Sequence, residues 1–255
     1  MLNQQRKQWL LDRLQSSGQL VAADIAQELG TSEDTIRRDL RELGKLGLVQ
    51  RVHGGALPAS PAVANVPARR EIASLEKRAL AQSAAALITP RQVVFLDGGT
   101  TALALAQALP ARLQATVVTH SPEVALALAA QAHAQIQIIL LGGVLFRHSM
   151  VNMGGTTLAQ LQHIQADWFF MGATGVHAQA GLTTGDYEEA ALKRSISARA
   201  AETVVLASSE KIGAASSYQI MPLNGISRLL VSEQASSTAL DPLEKLGVVI
   251  QRCAP

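Results

Sequence analysis

Aromatic residues, cysteine and long apolar runs are all scarce in this chain, and each shortage removes a class of protein. Aromatic side chains make up 3 % of the 255 residues while 48 % are hydrophobic, so the cores have to be built from Ala, Leu, Val and Ile. The one cysteine, Cys253, rules out an internal disulfide and a cysteine-based zinc site within one chain. No cofactor or metal is expected. The most apolar span, residues 124–146, is interrupted by Gln131, Gln135 and Gln137, so it does not pass as a membrane helix. Residues 1–20 are polar and lack the continuous apolar core of a signal peptide, which makes the cytoplasm the expected compartment and excludes a membrane partner. An excess of one charge is missing too. The net charge is +2, and residues 1–60 carry eight Lys/Arg against seven Asp/Glu. A case for nucleic acid must therefore rest on where the cations lie.

Their placement is ordered in residues 20–53. A short amphipathic helix is expected over 22–29, with Ile25, Ala26 and Leu29 on one side. Gly30 and Thr31 break it, and Ser32 is a good N-cap for a second helix, with Glu33 and Asp34 in its first turn, where the helix dipole favours acids. Ile36, Leu40 and Leu43 form the buried stripe of that second helix. Arg38, Arg41 and Lys45 lie opposite, flanked by Thr35 and Arg37. A small helix, a tight turn and a second helix with outward cations describe a helix-turn-helix, whose second helix enters the major groove. Residues 49–52 suit a two-stranded wing, with Gln50, Arg51 and His53 pointing away. An earlier helix is expected over residues 3–17, with Leu10, Leu11 and Leu14 facing in.

Residues 56–68 hold three prolines and no charge, which marks a linker. A helix over 74–88 follows, and from there strands and helices alternate. Apolar runs at 93–97, 116–120, 136–141, 167–173, 203–207, 229–232 and 248–250 predict a mainly parallel sheet covered on both faces. Ligands of such sheets bind beyond the carboxyl ends of the strands. Residues 97–101 (Asp-Gly-Gly-Thr-Thr) join a strand to a helix N-terminus whose free N–H groups and hydroxyls suit a phosphate. Asp97 could hold that loop or accept a sugar hydroxyl. Thr119, His120 and Ser121 end the next strand, Gly142 and Gly143 the third, and residues 172–175, with Thr174, the one after. Lys211 follows the strand at 203–207, where an ammonium could reach a phosphate.

At the amino end, Arg6, Leu10, Leu14, Ser32, Thr35, Ile36, Arg37, Arg38, Asp39 and Leu40 resemble, at matching spacing, the signature of the DeoR family of bacterial regulators. The remainder resembles that family's sensor domain in Asp97, Gly99, Thr100 and Thr101, in Gly142, Gly143, Gly154, Gly172 and Gly175, in the run at 181–194, and in Lys211, Ile212 and Gly213. The resemblance implies a winged helix-turn-helix over 1–56, a linker over 57–70, and an α/β effector domain over 71–255 related in fold to ribose-5-phosphate isomerase. It also implies that Thr100, Thr101 and Lys211 contact a phosphate, and that Asp97, Asp186 and Glu188 lie near the sugar. His120, Thr174 and Ser208 depart from the family pattern, where Asn, Asp and Asp are common, and Glu210 is unusual beside the lysine. The aspartate replaced by Thr174 stands where the isomerases carry a catalytic carboxylate, and a threonine hydroxyl is a poor general acid or base near neutral pH.

The expected function is a transcriptional regulator, a repressor of a carbohydrate catabolism operon, rather than an enzyme. Its partners would be double-stranded operator DNA, a small phosphorylated sugar and further copies of itself, as a homodimer or homotetramer. Arg41, Lys45 and Arg51 would supply phosphate contacts to DNA, and Ser32, Thr35, Arg37 and Arg38 the choice of sequence. Two alternatives remain: a sugar-phosphate isomerase-like enzyme fused to a DNA-binding module, kept alive by Asp97, Asp186, Glu188 and Glu189, and an interaction protein that uses the basic helix on another protein.

Overall fold

A computed structural model describes residues 2–131 and 135–254. The amino-terminal part holds helices α1 (Asn3–Ser17), α2 (Ala22–Glu28) and α3 (Glu33–Lys45), and strands β1 (Leu20–Val21), β2 (Val49–Val52) and β3 (Gly55–Pro58). The three strands form an antiparallel sheet in the order β1-β3-β2, so the wing gains a third strand from the chain before α2. Leu10, Leu14, Ile25, Ile36, Leu40 and Leu43 make its core, as the helical periodicity requires. Asp39 is buried with them, contrary to its polar type. Its carboxylate is paired with Arg6 of α1, and a second pair, Lys7 with Glu42, ties the same two helices.

Residues 57–70 are not a slack tether. Pro58 closes β3, while Pro61 and Pro67 sit in the opening turns of a 3₁₀ turn (Pro61–Val63) and of helix α4 (Val66–Glu71). Proline is tolerated there because the first helical N–H groups have no partner to lose. Ser60 and Asn65 cap those turns, and Ala62 and Val66 are buried.

Helix α5 (Ser74–Ala85) leads into strand β4 (Val93–Leu96), α6 (Thr100–Ala108), β5 (Ala115–Thr119), α7 (Pro122–Ala130) and β6 (Ile136–Leu140). A hairpin of β7 (Val144–Phe146) and β8 (Val151–Met153) follows, then α8 (Gly155–Leu161) and β9 (Ala166–Gly172). The chain continues through β10 (Gly175–His177), β11 (Gly181–Thr184), α9 (Tyr187–Ser197), β12 (Ala200–Ala207), β13 (Tyr218–Met221), β14 (Arg228–Ser232), α10 (Ser237–Glu244) and β15 (Ile250–Cys253). Seven of these strands form one parallel sheet in the order β15-β14-β12-β9-β4-β5-β6. Successive side chains of β9 face opposite cores: Phe170 joins Leu80 and Leu105 on one side, while Phe169 and Met171 join Phe95 and Leu192 on the other.

The last strand departs from the expectation for residues 248–250. Gly247, at φ +78°, turns the chain after α10, Val249 is exposed though its carbonyl accepts the Leu229 N–H of β14 at 2.9 Å, and the strand itself runs Ile250–Cys253. Among the described residues no helix is long and apolar enough to cross a membrane.

Candidate functional site

The first candidate surface is the outer face of α3. Ser32 caps the helix by accepting the Thr35 N–H at 3.3 Å, and the two hydroxyls lie 2.9 Å apart. Arg38, Arg41 and Lys45 are exposed, and among the described residues they make no salt bridge. Arg37 is exposed too but is held by Glu33 one turn back, at 2.7 Å. Arg37 and Arg41 from the helix, and Arg51 and His53 from the wing, line one groove with no carboxylate in its wall. Gly44 makes that approach possible. A Cβ there would stand 3.1 Å from Cδ of Arg51, so the arginine stem crosses the helix where a side chain is missing.

The second is a cavity at the carboxyl ends of three neighbouring strands. It is lined by residues 97–101 after β4, residues 172–174 after β9, and Lys211 after β12. Strands β4, β5 and β6 run outward to one side and β9, β12, β14 and β15 to the other, so the crevice lies where the strand order reverses. Gly99 is the N-cap of α6 at φ +88° and ψ −179°, a conformation that in practice only glycine adopts, and the first turn of α6, with Thr100 and Thr101, lines the cavity.

Charge is packed densely here. Asp97 is buried, and its Oδ2 accepts from the Gly172 N–H at 2.8 Å and from Lys193 Nζ at 2.5 Å. Lys193 also reaches Glu189 at 3.3 Å, one turn back on α9. Burial alone would lower the lysine's pKa, but Asp97 and Glu189 outweigh it and hold the ammonium above its usual range. Burial likewise opposes the Glu189 carboxylate, yet Lys193 and the Ser149 hydroxyl keep it below the ordinary value. Lys77 donates to the carbonyls of Arg69 and Ile72. Lys211 has no ion pair among the described residues, and burial pushes its pKa down to about 8. Its neighbour Glu210 turns to the Ser208 hydroxyl at 2.7 Å. A buried ammonium without a carboxylate partner, facing helix N–H groups and hydroxyls, fits an anion.

The structure brings Asp97, Gly99, Thr100, Thr101, Thr174 and Lys211 to this cavity. Asp186 lines an adjoining cleft and caps α9 through the Glu189 N–H at 2.9 Å. The other expected residues lie elsewhere. Thr119 closes β5 and His120 and Ser121 follow it, one strand further from the crevice, and Gly142 and Gly143 follow β6, two strands away. Thr119 accepts from the Ser121 N–H, and Ser121 caps α7. Gly142 bonds Gln160 and Thr157. His120 is fully buried behind Asp97, 3.6 Å from Oδ1, and burial lowers its pKa and keeps the ring neutral. Glu188 is exposed and lines neither cleft. Arg69, Lys77, Ser149 and Lys193 line the cavity without having been read as site residues, and Glu189, read only as a carboxylate of the isomerase alternative, lines it too. The i,i+4 pair Glu189–Lys193 could have been found from spacing, but Arg69 lay in a stretch read as linker.

A winged helix with an open cationic face, joined to a parallel α/β domain with a cation-rich crevice, is the build of a DNA-binding regulator with a sensor domain. Family comparison matches the DeoR-like helix-turn-helix domain over residues 6–62 and the DeoR C terminal sensor domain over residues 72–233. The chain belongs to the DeoR family. It is 32 % identical to the HTH-type transcriptional regulator GlpR of Haloferax volcanii, over 98 % of each chain. It is 30 % identical to a putative aga operon transcriptional repressor of Escherichia coli O157:H7 (96 % of this chain, 92 % of that one). A glycerol-3-phosphate regulon repressor of Haemophilus influenzae is 31 % identical over 81 % of this chain and 80 % of its own. Among solved structures, ribose 5-phosphate isomerase from Methanocaldococcus jannaschii overlaps 53 % of this chain and 52 % of that one, at 20 % identity and a TM-score of 0.39.

Proposed function

We propose that the chain represses a carbohydrate catabolism operon by binding operator DNA through α3 and the wing, and that a phosphorylated sugar in the crevice changes that grip. The single observation behind the effector is Lys211, a buried ammonium without a carboxylate partner that faces the N-terminus of α6. In this reading Lys211, Thr100 and Thr101 take the phosphate. Asp97 commits Oδ2 to Lys193 and Gly172 but leaves Oδ1 without a hydrogen bond among the described residues, so it can accept a sugar hydroxyl, with Asp186 in the adjoining cleft. On the DNA side, Arg41, Lys45 and Arg51 neutralise backbone phosphates, while Ser32, Thr35, Arg37 and Arg38 lie in the N-terminal half of the helix that meets base edges. The protein acts as a symmetric oligomer, a dimer or tetramer, matched to a palindromic operator. Two relatives are named as repressors of an operon or regulon, which favours the same role here.

The isomerase reading has less support. The Thr174 hydroxyl is spent on the Thr183 carbonyl at 3.0 Å and on Ser216 at 2.7 Å, so this side chain offers no acid or base to a substrate. A thermal-shift screen of the full chain against sugar phosphates and their unphosphorylated parents tests the proposal. A stabilising sugar phosphate whose parent sugar does nothing is expected. A chain that responds to no phosphorylated sugar would remove the effector reading.

A further inference from the structure

We infer that Arg69, carried by the segment that joins the two halves, is itself a ligand of the effector's phosphate, and that its capture links crevice occupancy to the wing. This rests on the sugar-phosphate reading of the crevice. Arg69 Nη1 lies 3.6 Å from the point where a Cβ of Gly99 would stand, beside the N-terminus of α6. Its Nε is buried and has no hydrogen-bond partner among the described residues. Glu189, Asp97 and Glu123 are near enough to favour its charge, yet none of them bonds to it. An arginine stays ionised in such a place, and a buried donor without an acceptor is costly. A phosphate held at the Gly99 turn would supply the missing acceptor and complete a two-pronged contact from the guanidinium.

From Arg69 the chain runs back to the wing along the rim of the crevice. The Val66 N–H donates to the His148 carbonyl at 3.2 Å, and the His148 ring meets the Val63 carbonyl at 2.8 Å. Ala62 forms part of the crevice wall, and the Ser60 hydroxyl donates to the Thr174 carbonyl. The Ala215 N–H donates to the carbonyl of Pro58, which pairs with Val49 in the wing sheet. On the other side, Ala73 holds a left-handed φ of 50° between α4 and α5, a strained conformation for a residue with a Cβ. One short run of chain therefore touches the ligand site at Arg69 and ends as a strand of the DNA-binding domain. A ligand can bias two states only if it contacts them differently, and this segment offers that difference.

The test is hydrogen exchange on the full chain with inorganic phosphate as the probe, for the parent and for Arg69→Met and Arg69→Lys. In the parent, phosphate should slow exchange in residues 98–102 and in residues 57–73 together. Arg69→Met should need about tenfold more phosphate for protection at 98–102 and should lose protection at 57–73. Arg69→Lys keeps the charge without the fork and should fall between; it also serves if the Met variant does not fold, which exchange in the seven-stranded sheet reports. If phosphate protects 98–102 equally in all three chains and leaves 57–73 unchanged, Arg69 is not a ligand and the crevice reading stands without it. If phosphate protects neither region of the parent, the crevice reading falls and this inference falls with it.

Discussion

On α3 the cations Arg38, Arg41 and Lys45 stand in water without a salt bridge among the described residues, whereas around the crevice Lys193, Lys77 and Lys211 are buried among carboxylates, carbonyls and hydroxyls. The same residue types thus do opposite work. An exposed cation costs the fold almost nothing and acts at a distance on a polyanion, so its contribution is shared among neighbours and fades with salt. A buried cation is held at a fixed point and opposes folding until something neutralises it. The DNA-reading half should therefore answer to mutation in small graded steps, and the crevice in large single ones.

The sharpest way to break that contrast lies inside the amino-terminal half, where one buried pair behaves like the crevice. Arg6→Ala would leave the buried Asp39 carboxylate without its partner and should cost about 3–5 kcal/mol of that domain's stability in urea unfolding. A loss like that of an exposed charge would mean that Asp39 is solvated. Next comes Lys211→Met, which should weaken the sugar-phosphate response about 100-fold while raising the melting temperature of the ligand-free chain. Burial places the Lys211 pKa near 8, below its unfolded value of 10.5, so the folded chain gives up its proton first. Between those two values the unfolded state binds more protons, so folding stability rises with pH there and the penalty is fully present below about 8. A phosphate favours the charged form, so effector affinity should fall over the same rise in pH. A parent chain with pH-flat affinity between 7 and 10 would take Lys211 out of the contact.

Smaller effects are expected on the exposed side. Arg41→Ala should weaken binding to all duplexes alike, by about tenfold at low salt, and should reduce the slope of log affinity against log salt by about one. An unchanged slope would separate Arg41 from the phosphates. Ser32→Ala removes the α3 cap and should cost about 1 kcal/mol in thermal unfolding, with a further loss in sequence discrimination if the hydroxyl meets a base edge.

The two regions also differ in how much of them can be read from residue order. The helix-turn-helix is legible because Ile36, Leu40 and Leu43 recur at helical spacing and Ser32 opens the helix in a recognisable way. Asp39 is not, since its burial depends on Arg6, 33 positions earlier on another helix. Strands β4, β5, β9 and β12 are apolar runs and declare themselves. The short strands β8, β10, β11 and β13 carry no such run, β7 is only three residues long, and β15 hides behind Gln251 and Arg252 at the sheet edge. At the crevice, the glycine-bearing strand ends are visible in the chain, but which of them are neighbours is decided by the order of the sheet. That order joins residues 97–101, 172–174 and Lys211 and leaves Thr119, His120, Ser121, Gly142 and Gly143 to one side. Arg69 was hidden for another reason: prolines that interrupt strands also start helices, so Pro61 and Pro67 read as a tether where the chain makes part of the crevice wall.

In the proposed function, one site senses a phosphorylated sugar and the other reports it on DNA. Fluorescence anisotropy of the full chain on the DNA upstream of its own gene, at fixed salt, with and without a panel of sugar phosphates, measures both at once. At least one sugar phosphate should change the Kd by about 5- to 150-fold while its parent sugar leaves it unmoved. A Kd that no phosphorylated sugar alters, on a duplex the protein does bind, would contradict the account.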